Sequence, residues 1–434
     1  MLARLLKYAV LGFCGLTAVL LGLYALSAHW PIPQAQRQAL AQLRQPLPPL
    51  DGPTMFAALW SLPYVVPAAQ WESVLALDVQ QFKQLPPAAP PLCQLSGDAC
   101  LQRVRQQPQA YADALATQTP RLRASRELIR YTHYRSPFPA TASAPSAPWP
   151  RGALSMTANA LEFVQGGTAQ ALIGVCGDAQ VARVLLGSDD NLAMPSIGAA
   201  MLRGNAQLFA QMLAELPVDH TVPAQCRAAF APLAPQDISL CRALRGESRL
   251  AFSSLRQAVD QQSRAGGGHA QALPGLLDRE RTEALLAPTY TWACSAQVER
   301  LLAEDEAIPP AMVPVAQTRS LGCIANAVGC LLADVARPPY ALAQHKRQDT
   351  AAAVRTVSAL LWLRDHPAEA VPLAQRLAQL PPALRGTARP LRVGADEHSL
   401  RLQQYARSEH ADIVWPLPAS RLAAAPGGVA LGVD

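Results

Sequence analysis

Residues 130–139, RYTHYRSPFP, hold the densest group of chemically versatile side chains in the chain. His133 has the chemistry of a general base, and Arg135 that of an anion holder. Tyr131, Tyr134 and Arg135 are also residue types that binding surfaces favour. A plainer role competes with both: aromatic side chains at a helix exit usually pack on the core while neighbouring arginines stay solvated. Asp78 is the second candidate. Trp71, Leu75, Asp78, Phe82 and Leu85 recur at spacings of 4, 3, 4 and 3, which predicts a helix from Pro67 to about Leu85 with this face buried. A carboxylate on such a face is neutralised by a partner or put to use. His133, Asp78 and Arg135 are therefore the residues from which a hydrolytic site would be assembled.

The motifs of the common catalytic families are absent. The chain has no HExxH, no GxSxG, and no GxGxxG after a strand. Its three lysines are Lys7, Lys83 and Lys346, and neither of the latter two follows a glycine-rich turn, so there is no P-loop. No Ser-x-x-Lys occurs. No two histidines stand at i, i+3 or i+4, and there is no CxxC, so no metal site and no cofactor is expected. The acidic runs Asp189-Asp190 and Glu304-Asp305-Glu306 read as helix caps or ends, since a calcium loop needs more oxygen ligands at defined spacing. The net charge of +6 is spread along the chain and gives no reason to expect nucleic acid.

The elements that would position these residues lie behind one apolar segment. Residues 8–28, YAVLGFCGLTAVLLGLYALSA, are 21 residues without a charge. As a helix they would extend roughly 31 Å, enough for a bilayer core. Arg4 and Lys7 precede the segment and the next formal charge is Arg37, which predicts a single-pass inner-membrane protein with its amino terminus cytoplasmic and its body periplasmic. The competing reading is a signal peptide cut after Ser27; the length of the apolar run favours the anchor. Residues 31–52, rich in proline and glutamine, read as a juxtamembrane spacer that lifts the body off the membrane.

The body reads as mainly α, an irregular multi-helical bundle or solenoid. A helical lobe is expected over 53–136, a Pro/Ala/Ser-rich linker over 137–150 and a second helical lobe over 151–381. Residues 382–434 alternate in places and predict a small β hairpin or three-stranded meander with a loose tail. Leu321, Ile324, Val328, Leu331 and Val335 form an apolar face of helical period, flanked by Gly322 and Gly329, which could admit a close neighbouring helix.

Nine cysteines occur, and Cys14 lies inside the apolar segment. The other eight, an even number in an exported chain, suggest disulfides. Cys93 and Cys100 flank a turn-like Ser-Gly-Asp, and Cys226 and Cys241 flank a proline-bearing loop, so each pair is expected to bridge. Cys323 and Cys330 read as one helix, which would hold them roughly 10.5 Å apart and forbid a bridge between them. Their partners would then be Cys176 and Cys294.

The stretches MFAALWSLPYVVP, YTHYRSPFP and NAVGCLLADVARPPYA, with the Cys93/Cys100 loop, give a layout that resembles uncharacterised exported, membrane-anchored proteins of GC-rich proteobacteria. The prevalence of Arg, Ala and Pro over Lys fits such a genome. The resemblance covers most of the chain, implies no activity and transfers no functional residue. The reading that best fits anchor, helices and missing motifs is a periplasmic protein that binds another protein or an envelope component. An immunity protein against a periplasm-acting toxin is a variant of it, and an envelope-polymer or lipid hydrolase is the alternative.

Overall fold

The computed structural model describes residues 2–71, 82–85, 87, 91–95, 99–141, 144–145, 147, 152–264, 276–335, 339–367, 371–406 and 412–417. Asp78 lies outside the described residues, as does most of the helix expected around it. Its expected start is a single 3-10 turn at Ala68–Gln70, and at its expected end Gln84 makes a β-bridge with Tyr64.

Helix α1 spans Leu2–Ala28. It is long and apolar enough to cross a membrane, and none of the most apolar 18-residue window within Arg4–Ala28 is buried against the rest of the chain. The uninterrupted run of helix-compatible apolar residues explains the element. Its end is tied down. Ser27 is fully buried, and its Oγ accepts the backbone N–H of Ala325 at 2.8 Å. The Arg281 guanidinium donates to the carbonyls of Ser27, Ala28 and Trp30 at 3.3, 2.5 and 2.8 Å. The Ser27 and Ala28 carbonyls belong to the last turn of the helix, whose carbonyls have no partners further along it.

Residues 31–52 do not form the expected free spacer. Helix α2 (Gln34–Leu43) buries Ala39, Leu40 and Leu43. These side chains join α13 (Arg279–Thr291), α14 (Ala296–Ala303), α15 (Ala327–Val335) and the start of α12 (Cys241–Arg264) in one of two hydrophobic cores. Arg44 adds a 3.1 Å bond to the buried Glu283.

The larger core runs across the boundary expected at 137–150. It draws in α3 (Met55–Ser61), α4 (Cys100–Gln106), α5 (Pro108–Ala116), α7 (Gly152–Val164), α8 (Thr168–Leu186), α9 (Ala193–Glu215), α10 (Ala224–Ala229), α16 (Tyr340–Asp365) and the C-terminal sheet. The split into lobes 53–136 and 151–381 therefore does not match the packing: the first lobe shares its core with α7 to α10. Helix α8 is apolar enough to span a membrane by composition, yet half of it is buried here as a core helix. It packs closely on α9, where a Cβ on Gly198 would fall 2.4 Å from the backbone nitrogen of Leu186.

The chain ends in the expected small antiparallel sheet, Arg392–Val393, Ser399–Gln403 and Asp412–Pro416, in the order β1-β2-β3. Its inner face carries Leu400, Leu402, Ile413 and Trp415, all buried in the larger core. The sheet is thus part of the body and not an appendage.

Four disulfides tie the helices, and only the first matches the pairing expected from the sequence. Cys93–Cys100 bridges Cα atoms 5.3 Å apart. Cys176 pairs with Cys226 and Cys241 with Cys294, which replaces the expected Cys226–Cys241 bridge. The cause is packing: Cys226 on α10 lies against α8, and Cys241 opens α12 beside the turn that holds Cys294. Cys323 and Cys330 do pair, with Cα atoms 5.8 Å apart. Residues 321–323 are a 3-10 turn and α15 starts only at Ala327, so the two cysteines do not share a helix.

Candidate functional site

The 130–139 stretch is built as a junction. Thr54 caps α3 and also accepts the N–H of Arg135 at 2.9 Å. The His133 carbonyl accepts from Met55 at 3.0 Å. Tyr131 and Tyr134 are 3% and 4% exposed, so neither offers the binding surface the sequence suggests. Tyr134 lies against Phe56 with ring centroids 5.8 Å apart, and Phe138 packs on the same ring. The Tyr131 hydroxyl accepts from Arg130 at 3.3 Å. These are apolar bodies whose place is the core.

Arg135 is committed too. Its guanidinium meets Asp189 at 3.0 and 2.5 Å and the Pro48 carbonyl at 2.8 Å. The N–H of Ser136 donates to Asp190 at 2.6 Å. Asp189 and Asp190 therefore bind a neighbouring strand of chain instead of ending a helix. Burial raises the Asp190 carboxyl to about 6, against the pull of the Ser136 bond and of Arg135 and Arg249. The imidazole of His133 is bonded to no acid or nucleophile among the described residues. His133 and Arg135 thus form no catalytic pair. Arg135, Asp189 and Asp190 are spent on holding residues 46–56, 131–138 and 187–192 together.

Two polar clusters were not visible in the sequence. Asp178 on α8 accepts from Ser155 and Asn159 on α7, each at 2.8 Å, and burial pushes it up to about 7. Arg389 is 1% exposed and sits between Asp305 and Asp349 at 2.7 and 2.5 Å. It also lies 3.9 Å from the centroid of the Tyr405 ring. Arg355 binds the other side of Asp305 at 2.7 Å. The only signal for these in the sequence is charge at positions of helical or turn character, because each acid and its hydrogen-bonded side-chain partners are 19 to 84 residues apart.

The Arg389 cluster lies beside a groove in the surface of the body. Helix α17 (Leu373–Ala378), helix α18 (Pro382–Arg385) and strand β1 enclose a groove of about 710 Å³. Leu377, Leu380 and Leu391 form an apolar floor, each less than a tenth exposed. Arg385 and Arg392 stand on its rim and are exposed. Gly386 turns the chain there at φ 70°, a backbone form that suits glycine. A Cβ at that point would fall 2.5 Å from the Arg355 guanidinium. Beside the groove, the register of the sheet sets Arg392 directly opposite Arg401. Both are exposed, and no acid pairs with either among the described residues. Like charges opposite each other across strands repel. An apolar floor under unpaired arginines suits a ligand that is apolar on one side and acidic on the other.

No protein-family model, no curated protein and no solved structure matches the chain.

Proposed function

We propose that the protein is a membrane-anchored periplasmic binding protein whose groove between α17, α18 and β1 receives an extended, acidic segment of another envelope protein. The observation that carries this reading is the Arg392/Arg401 couple, paired with no acid among the described residues, beside an apolar groove. Arg135, Arg281, Arg355 and Arg389, by contrast, have acid partners within the chain. An acidic segment would relieve the repulsion and cover the leucines in one step. Arg4 and Lys7 ahead of α1 support an amino terminus on the cytoplasmic side, and four disulfides suit the oxidising compartment beyond it. The buried Ser27 supports retention of α1, because a cut there would break a seam of the body.

The test is a photo-crosslinking residue at Thr387, on the groove wall, in the full chain in native membranes. The expected outcome is an adduct with an acidic stretch of an envelope protein, lost when Arg392 and Arg401 are changed to Glu. Adducts that survive the charge reversal, or that contain polysaccharide or lipid, sink the reading. If the adduct is a secreted toxin, the immunity variant is the correct form of it. A C-terminal reporter checks the orientation: activity in the cytoplasm overturns the periplasmic placement.

A further inference from the structure

Most of the apolar face of the 321–335 segment is turned outward. Leu321, Ile324, Leu331, Leu332 and Val335 are 38, 42, 63, 45 and 77% exposed. The opposite face of α15, with Gly329, Cys330 and Ala333, is the buried one. That face is pressed onto α13, where a Cβ on Gly329 would come 2.0 Å from Thr282 Oγ1. The helix therefore cannot roll its leucines inward. Asp334, its one charged residue, stands at the margin of the stripe and lines a side cavity with Arg319.

The place of this face in the fold says what covers it. The N–H of Ala325 is bonded to Ser27, the second-last residue of α1. Trp30 lies beside Gly322, and Arg281, from the helix under α15, holds the last carbonyls of α1. The Cys323–Cys330 bridge joins the 3-10 turn to α15, so the exposed residues move as one unit with the end of α1. Helix α15 has 9 residues and is about 13 Å long. Its whole outer face is thus close to the level at which an α1 embedded in a membrane leaves the hydrocarbon. Interfacial helices sink their apolar side roughly 5–10 Å into the boundary of headgroups and acyl chains.

We propose that the 321–335 segment is a second membrane contact, a short helix whose Leu321, Ile324, Leu331, Leu332 and Val335 lie in the outer boundary of the bilayer that α1 crosses. The body then rests on the membrane surface through α15 and Trp30 instead of swinging on a tether, and its orientation is fixed. This rests on the reading of α1 as an anchor.

The test uses the full chain, with Cys14 replaced by Ser, in phosphatidylethanolamine/phosphatidylglycerol vesicles. An environment-sensitive fluorophore is placed on Val335→Cys and, for control, on Asp113→Cys in α5. Some vesicles carry a quencher high on the acyl chain. The expected result is loss of fluorescence at position 335 and none at 113, with the loss at 335 abolished by Leu331→Asp together with Leu332→Asp. These residues are exposed, so the variant keeps its fold and its unfolding midpoint. A label on native Cys14 is read in parallel with a deep quencher. If Cys14 is quenched and position 335 is not, the anchor stands and this inference is overturned. If neither is quenched, the anchor reading fails and the inference falls with it. Cross-linking of two copies through position 335, without lipid quenching, would assign the face to a second copy and also overturn it.

Discussion

The backbone N–H of Ala325 donates to the Oγ of Ser27 at 2.8 Å, joining residues 298 positions apart at the point where α1 meets the body. Both residues are buried. A Ser27→Ala change leaves that N–H without a partner, which costs about 1–3 kcal/mol. The expected outcome is a lowered urea midpoint in detergent and faster hydrogen exchange at Ala325. An unchanged midpoint would mean that the seam is not part of the stable body.

The disulfide pairing gives a prediction of its own. Peptide mapping without reduction should recover Cys176 linked to Cys226 and Cys241 linked to Cys294. Replacing Cys176 and Cys226 together by Ser opens a loop spanning 50 positions, a loss of about 4 kcal/mol on the chain-entropy account. A Cys226–Cys241 peptide would contradict the packing of α10 on α8.

Much of the secondary structure was legible because helical periodicity is a local property. Leu202, Ala206, Phe209 and Leu213 recur at spacings of 4, 3 and 4, and all four are buried on α9. The alternation around 399–403 likewise announced a strand. Periodicity identifies a stripe but not what covers it. The 321–335 segment shows the same 3-and-4 spacing as α9 and turns it outward. Tyr131 and Tyr134 were misleading for a related reason: the same ring suits a surface or a core, and only the position of Phe56 decides. The groove was not legible at all. Arg392 and Arg401 become neighbours only through the sheet register, and Leu377 meets Leu391 only through the turn at Gly386. Disulfide partners failed where they depended on how α8, α10 and α12 pack, which no spacing records.

Arg389 holds the groove wall to α16 by neutralising Asp305 and the fully buried Asp349. Removing one partner of such a buried network leaves an uncompensated charge, at about 3–5 kcal/mol. Arg389→Met should therefore destabilise the protein strongly and loosen the sheet first. Hydrogen exchange in β1 and β2 would show this before global unfolding. Pairing the change with Asp349→Asn should recover part of the loss, since one of the stranded charges is then gone.

Asp178 gives a pH dependence with a defined sign. Burial raises its carboxyl to about 7 in the folded protein, from an unfolded value near that of an ordinary aspartate. The folded state then holds the proton more tightly, so this group's stabilising contribution is complete at low pH. It falls as pH rises from about 4 to 7 and is flat above that. Asp178→Asn should remove that slope. The variant is expected to gain on the order of 4 kcal/mol relative to the parent between pH 4 and pH 8, provided Asn159 turns its amide to accept. Urea unfolding of both proteins across this range measures the difference. A difference that does not change with pH would show that the Asp178 carboxyl titrates alike in the folded and unfolded protein.

Arg401→Glu separates a structural role from a binding role. In the present register it would set a glutamate directly opposite Arg392 and turn a repulsion into an attraction. Cross-strand pairs of opposite charge are worth about 0.2–1 kcal/mol, so the sheet should become slightly more stable. If the arginine couple is kept for an acidic partner, the same change should weaken capture at Thr387 while the unfolding midpoint rises. Arg401→Lys should preserve capture, because it keeps the charge. A fall in stability on Arg401→Glu would mean that Arg401 is bound within the body. A rise in stability with undiminished capture would mean that the partner, if it uses the groove, does not read these charges.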